Sequence, residues 1–294
     1  MKPIKKIAVI SPSVMLSERD LNSETWLTYL REKLRLEVMM MPTALTGLKL
    51  STFQAKEKAR DIMKAFEDES VDALLAVHGG ASALRVLEYL DFDVIKNNPK
   101  PIIGFSDTTS LQYGVFGITG LSYVTGFFPE YEFRDKQGIS SMVEEDLKRI
   151  LLGQKFRAQS GTCVHGGVAE GVLIGGNMSS ISDLSGTPYY PDLTGKILLL
   201  EDECEVSYKL KLMLTQLKYN STFKDIKGIV FGKFNECTDH VTHGTVASVV
   251  EDFAAQVKLP MIKDFDYGHF KDRHVLTCGV KYRFDADQCL LEQV

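Results

Sequence analysis

The segment Gly104-Phe105-Ser106-Asp107-Thr108-Thr109 follows an apolar run and opens a helix-like one, so Ser106 falls on a tight turn between strand and helix. Such a turn lifts a hydroxyl into solvent, and the first N–H groups of the helix, which lack intrahelical acceptors, can stabilise an oxyanion. Gly104, two residues earlier, gives the cramped turn room. The same residues also suit plain helix capping by Ser106 or Asp107, and the turn taken alone favours capping. His78-Gly79-Gly80 ends an earlier apolar run. Its glycines let backbone N–H groups approach a ligand, as the other half of an oxyanion hole would, but alone it reads as a Gly-rich turn. Lys196 to Leu200 runs into Glu201-Asp202-Glu203-Cys204-Glu205. A carboxylate at a strand end can hold an imidazole in one tautomer, whereas a cluster can equally be a solvated loop or hard-cation ligands. Only one of these carboxylates is expected to have a defined role. Asp266-Tyr267-Gly268-His269 places an imidazole, the natural general base for a serine hydroxyl, in a loop, although the chain has six histidines to choose from. Cys237, Asp239, His240 and His243 have metal-like spacing but no matching second pair, so no metal site is expected there.

These residues need elements to position them. Lys6–Ile10, Leu36–Met41, Val71–Val77, Pro101–Phe105 and Leu121–Val124 read as strands, and helix-like stretches separate them. Ser23 can cap a helix over about 24–34, and Ser51 or Thr52 opens another, on which Ala59, Ile62, Met63 and Phe66 share one buried face. Further helices are expected over Ala81–Tyr89 and from Asp107. Alternation of near-continuous apolar strands with helices argues for a parallel sheet covered on both faces, with ligands beyond the strands' carboxyl ends. That rule singles out the segments ending at Ser13, Gly80 and Ser106. Met142–Leu152 looks helical, and Gln154–Gly161 reads as a linker. A second block then carries strands near Val172–Ile174, Lys196–Leu200, Gly228–Phe231 and Tyr282–Phe284, with helices near Tyr208–Leu217 and Val246–Val257. The expected class is α/β: a flavodoxin- or Rossmann-like parallel-sheet domain with a nucleophile elbow over residues 1–135, a connector over 136–162, and a mixed α/β domain over 163–294.

The 294 residues suffice for about two domains at the usual ~150 residues each. Lys and Arg number 34 against 39 Asp and Glu, a net charge of −5 that makes general binding to nucleic acid unexpected. A content of 44% hydrophobic and 25% charged residues is that of a folded globular chain. No apolar run approaches the ~20 residues needed to span a bilayer, and the N-terminal residues are too short in apolar length for a signal peptide. The cysteines, at 163, 204, 237, 278 and 289, are odd in number without a Cys-x-x-Cys pair, so reduced thiols in the cytoplasm are expected. None precedes residue 163, so a nucleophile in the first half is not a thiolate.

Together the segments resemble the LD-carboxypeptidase family of serine peptidases, the S66 type, which includes muramoyl-tetrapeptide carboxypeptidases and microcin C immunity peptidases. The resemblance covers most of the chain. It runs through Gly79-Gly80, Arg85-Val86-Leu87, Tyr89 to Asp93, Asn98-Pro99-Lys100, Ile103 to Thr109 and Thr119-Gly120-Leu121. It continues through Gly175-Gly176-Asn177, Gly186 to Tyr189, Leu200-Glu201-Asp202, Leu214 to Leu217 and Gly268-His269. It implies a triad of Ser106 as nucleophile, His269 as base and Glu201 as its orienting acid, with the N–H groups of Gly80 and Asp107 as the oxyanion hole. These residues lie far apart in sequence, so both blocks must meet at one cleft. No metal or organic cofactor is implied, and the partner is a small peptide or peptide-like substrate; a homodimer is expected only because the family tends to form one. The implied activity is release of a C-terminal D-amino acid from an LD-peptide bond, as in murein tetrapeptide recycling. The alternatives are cleavage of a peptidyl-nucleotide or acyl-aspartyl amide, and a non-catalytic ligand-binding role. Departures fall at His78, Ala81 and Ser82 around the Gly-Gly pair, at Phe127 and at Lys211. They bear on specificity, because His78 would clamp a substrate carboxylate only when protonated.

Overall fold

The structure, a computed structural model, describes residues 2–13, 24–45, 54–133 and 138–294. The helix-opening residues Ser23, Ser51 and Thr52 lie outside them. The first block contributes β1 (Lys6–Ile10), β2 (Glu37–Met40), β3 (Ala73–Ala76), β4 (Ile102–Gly104) and β5 (Tyr123–Thr125). The second contributes β6 (Arg157–Gln159), β7 (Thr162–His165), β8 (Val168–Asn177), β9 (Lys196–Glu203), β10 (Gly228–Asn235), β11 (Met261–Lys263), β12 (Leu276–Cys278), β13 (Val280–Asp285) and β14 (Leu290–Gln293).

β3, β4 and β5 are buried along their whole length, as apolar strands covered on both faces must be. The first sheet has the order β12-β5-β4-β3-β1-β2 and is parallel from β2 to β5, which is the flavodoxin-like 2-1-3-4-5 order. Its last strand, β12, comes from the second block and runs antiparallel to β5. The second sheet has the order β6-β14-β13-β8-β9-β10-β11-β7, with a parallel centre from β8 to β11 and antiparallel strands outside it. This is the mixed α/β architecture anticipated from the alternation of strands and helices.

Side chains alternate across β1. Ala8 and Ile10 join a core that continues through Phe105 to Leu173, Leu198 and Phe284 of the second sheet. Ile7 and Val9 join a second core with Trp26, Leu147 and Val275 on the opposite face. On the helix Gln54–Glu67, Ala59, Ile62 and Phe66 are buried and Met63 is partly buried.

Two expectations need correction. The stretch Gln154–Gly161 is not merely a linker, since it contains β6, an edge strand paired antiparallel with β14. One ladder and no apolar period leave such a strand no signature in the sequence. Ala81–Tyr89 forms a 3₁₀ helix, Ala83–Tyr89, in place of a regular α-helix. Its tighter winding puts Ala83 and Val86, three residues apart, together in the core.

Candidate active site

The carboxyl ends of the parallel strands in both sheets carry the residues singled out above. β4 ends at Gly104 and the helix Thr108–Thr119 begins four residues later, so residues 105–107 must reverse the chain sharply. Ser106 adopts a left-handed backbone, φ +56°, a conformation that costs energy in a non-glycine residue and is held by its surroundings. A Cβ at Gly104 would lie 2.3 Å from Thr108 Cγ2, so only glycine admits this turn. The Gly79 position is less cramped but still tight: a Cβ there would lie 3.0 Å from Ser106 Cβ and 3.2 Å from its Oγ.

Asp107 does not cap its own helix. Its buried carboxylate instead accepts the N–H groups of Ser82 (2.8 Å) and Ala83 (2.9 Å), which ties the His78–Ser82 turn to the Ser106 turn. Among the described residues the N–H groups of Gly80 and Asp107 donate to no protein acceptor.

On the second sheet, Asn177 ends β8 and pairs in register with Glu201 of β9. The buried Glu201 carboxylate accepts His269 Nδ1–H at 2.7 Å and Asn177 Nδ2–H at 3.3 Å. The same Asn177 amide donates to Asp202 at 3.1 Å, and its backbone N–H donates to Thr109 Oγ1 at 3.2 Å. Asp202 also accepts the N–H and hydroxyl of Ser179 and the N–H of Glu203. Burial, reinforced by the charge of Glu201, pushes the Asp202 carboxyl up to about 7. Two carboxylates of the acidic run therefore have defined partners, where one was expected. A third, Glu203, lies 3.7 Å from His269 Nε2.

His269 is buried, although its segment is a loop, as expected. Burial opposes its charge, but the charge and hydrogen bond of Glu201, with Glu203 beyond, outweigh burial and hold its pKa above the ordinary imidazole value. Its ring stacks on Phe105, the neighbour of Ser106, with centroids 4.2 Å apart. The contacts thus run in a circuit from the Ser106 turn through Thr109, Asn177, Glu201 and His269 back to Phe105. Ser106 Oγ itself makes no hydrogen bond to His269 in the structure, so of the three residues Glu201 and His269 are joined directly and Ser106 is held beside them.

Beside the turn, His78 Nε2 lies 3.3 Å from Glu130, and its ring stacks on Phe128 at 5.7 Å. Nothing in the sequence paired Glu130 with His78. Asp202 was likewise not singled out within its acidic run, because Asn177 and Ser179, which meet it, come from a remote segment. Among the described residues, Cys237, His240 and His243 do not converge as ligands; the rings of His240 and His243 pack against Tyr208. The group that does converge is Glu203, Cys204 and Glu236, largely exposed. No helix among the described residues is long and apolar enough to cross a membrane.

Known proteins share this fold. The family model for the LD-carboxypeptidase N-terminal domain matches residues 7–126, and that for the C-terminal domain matches residues 170–284. A probable murein peptide carboxypeptidase of Bacillus subtilis is 29% identical over 234 residues, 78% of this chain and 73% of its own. The microcin C7 self-immunity protein MccF of Escherichia coli is 26% identical over 262 residues, 79% of this chain and 76% of its own. A structure of MccF in complex with aspartyl sulfamoyl adenosine superposes with a TM-score of 0.86 at 22% identity, covering 100% of this chain and 97% of that one. The muramoyltetrapeptide carboxypeptidase of Oxalobacter formigenes superposes with a TM-score of 0.85 at 23% identity, covering 97% of each chain. With both family domains matched in order across most of its length, the chain belongs to the LD-carboxypeptidase family, and it is a peptidase by that membership.

Proposed function

We propose that the protein is a serine carboxypeptidase that hydrolyses an LD-peptide bond and releases a C-terminal D-amino acid, as in the recycling of murein tetrapeptides. The observation that carries this reading is the buried Glu201–His269 pair stacked against the left-handed Ser106 turn. With Nδ1–H donated to Glu201, the lone pair of His269 lies on Nε2 and can accept the Ser106 proton. Ser106 Oγ then bonds to the scissile carbonyl carbon, and the resulting oxyanion is held by the N–H groups of Gly80 and Asp107. The C–N bond breaks as His269 Nε2–H protonates the leaving amine. Water, deprotonated by the same nitrogen, releases the acyl group and restores Ser106. The step requires Ser106 Oγ to close on Nε2, and the Phe105 stack keeps the two side chains in one neighbourhood. Losing one oxyanion donor typically costs ~10²–10³ in turnover, roughly 3–4 kcal/mol.

The test is mass spectrometry of murein tripeptide, tetrapeptide and pentapeptide incubated with wild type and Ser106→Ala. Loss of one terminal D-alanine from the tetrapeptide with wild type alone is the expected result. Absence of any Ser106-dependent product across the peptides would overturn it. Similarity to MccF favours a second reading, in which the amide of an aminoacyl-nucleotide is cleaved, and aspartyl sulfamoyl adenosine in the same assay decides between the two. Binding of either compound without Ser106-dependent turnover would leave a ligand-binding role.

A further inference from the structure

A buried imidazole between two carboxylates is drawn toward its protonated form, in which Nε2 cannot take a proton from Ser106. The His269 loop contains a counterweight. Arg273, four residues beyond His269, is a fully buried guanidinium that ties the His269 loop to the end of β5. Its Nε donates to Gly126 O (2.9 Å), just after β5, and its Nη1 donates to Phe270 O (2.8 Å), inside the loop. Its Nη2 is ion-paired with the buried Glu132 of the helix Pro129–Phe133. The guanidinium carbon lies 5.0 Å from the centre of the Phe105 ring and 4.6 Å from that of Tyr131.

The segment it grips is the crossover from β11 in the second sheet to β12 in the first. His274 N–H to Asp266 O (2.7 Å) closes the base of this loop, and Asp146 holds the same end through the ring of His274 (2.8 Å) and the N–H of Val275 (3.1 Å). At the His269 end, the ring meets Glu201, Glu203, the Phe105 ring and, edge-on with centroids 6.2 Å apart, the Tyr131 ring, and Arg273 lies against both of those aromatic rings. Lys233 also holds this loop, through its N–H to Tyr267 O (2.8 Å) and its ammonium over the Phe270 ring (4.1 Å), so Arg273 shares the placement of Phe270 and is the cation that also holds Phe105 beside the Ser106 turn.

We propose that Arg273 is a positioning residue for the reaction proposed above: its planar fork fixes the His269 loop and Phe105 against the Ser106 turn. The assignment rests on that reading of the site. A planar donor fork suits this task better than an ammonium, because three bonds in one plane are met at once and the flat face stacks on two rings. The charged groups facing His269 are Glu201 and Glu203 from β9 and Arg273 from its own loop, and Arg273 is the one that disfavours the imidazolium.

Two folded variants separate geometry from charge. Arg273→Lys keeps the charge and loses the fork. Its kcat is expected to fall about 10²-fold with KM little changed, the loss typical of a misplacement near 1 Å, while the His269 titration followed by NMR stays in place. Arg273→Met with Glu132→Gln removes both charges of the buried pair together. Its kcat also falls, and its His269 titration moves to higher pH. Wild-type kcat and titration in both variants would overturn the proposal. So would a loss of activity that merely follows a loss of folded protein, with the titration unmoved in the double variant. If wild type hydrolyses none of the peptides, the reaction proposed above fails and the positioning role falls with it, whereas an active wild type with unimpaired Arg273 variants overturns the role of Arg273 alone.

Discussion

Glu201 and Asp202 are adjacent in sequence, yet their environments assign them different work. Glu201 faces the imidazole and holds its charge, whereas Asp202 points to Ser179 and Asn177 and braces the end of β8. Replacing Glu201 by Gln removes the main influence that raises His269. The acid limb of kcat/KM is expected to move to lower pH, and turnover to fall by roughly 10⁴ through loss of the correct tautomer. A pH–rate profile checks both. Wild-type activity should rise with pH as His269 loses its proton, with a midpoint above the free imidazole value of about 6.5. Asp202 predicts a stability effect instead. Its folded pKa, about 7, exceeds the ordinary aspartate value of 3.8, so the native state binds more protons in that window and stability declines as pH rises through it. Asp202→Asn should flatten that decline, measured by urea unfolding at pH 4, 5.5 and 7. The residue types at 106, 201 and 269 could be read from sequence as a hydroxyl, an acid and a base. Their choice over the other serines, carboxylates and histidines came from the resemblance, because residue type alone leaves the capping and solvated-loop readings open.

Among the elements, strands with long apolar runs were legible. Val71–Val77 and Lys196–Leu200 stood out because burial on both faces demands continuous hydrophobicity. The short edge strands β6 and β7, and β14 inside β6, were not, because pairing partners elsewhere along the chain define them and no periodicity does. Junctions between elements carry their own predictions. Asp107→Ala removes two hydrogen bonds from a buried carboxylate to the Ser82–Ala83 turn, and bonds to charged groups are worth ~1.5–3 kcal/mol each. Denaturant unfolding should report a loss of that order, with Asp107→Asn retaining part of it because an amide oxygen still accepts. Gly176→Ala would drive a Cβ to 2.6 Å from Thr109 Oγ1 at a φ of +145°. Overpacking at such a contact costs ~1–3 kcal/mol, and turnover should fall as well, since Asn177, the next residue, links Thr109 to Glu201.

At the scale of the whole molecule, the two sheets are joined more closely than a pair of lobes on a linker. β12 closes the edge of the first sheet, Tyr123 Oη bonds both the N–H (2.8 Å) and C=O (2.9 Å) of Gly175, and Thr125 Oγ1 meets Tyr267 Oη at 2.7 Å. One apolar cluster runs through both sheets. Calorimetry is therefore expected to show a single unfolding transition, and a fragment ending before β12 should aggregate through the uncovered edge of β5. Two separate transitions would instead favour independent domains divided near residues 135 and 162.

Local chemistry, read from the sequence by itself, settled the α/β alternation, the turn at Gly104–Thr109 and the inventory of reactive groups, because propensity, apolar period and glycine placement act over a few neighbouring residues. Only the tertiary structure decided that Asp107 braces a neighbouring turn, that Arg273 reaches Gly126 and Glu132, and that the His269 loop crosses from one sheet to the other. Those contacts join segments up to about 150 residues apart, and they form only when burial of two hydrophobic sheets brings the ends of their strands together.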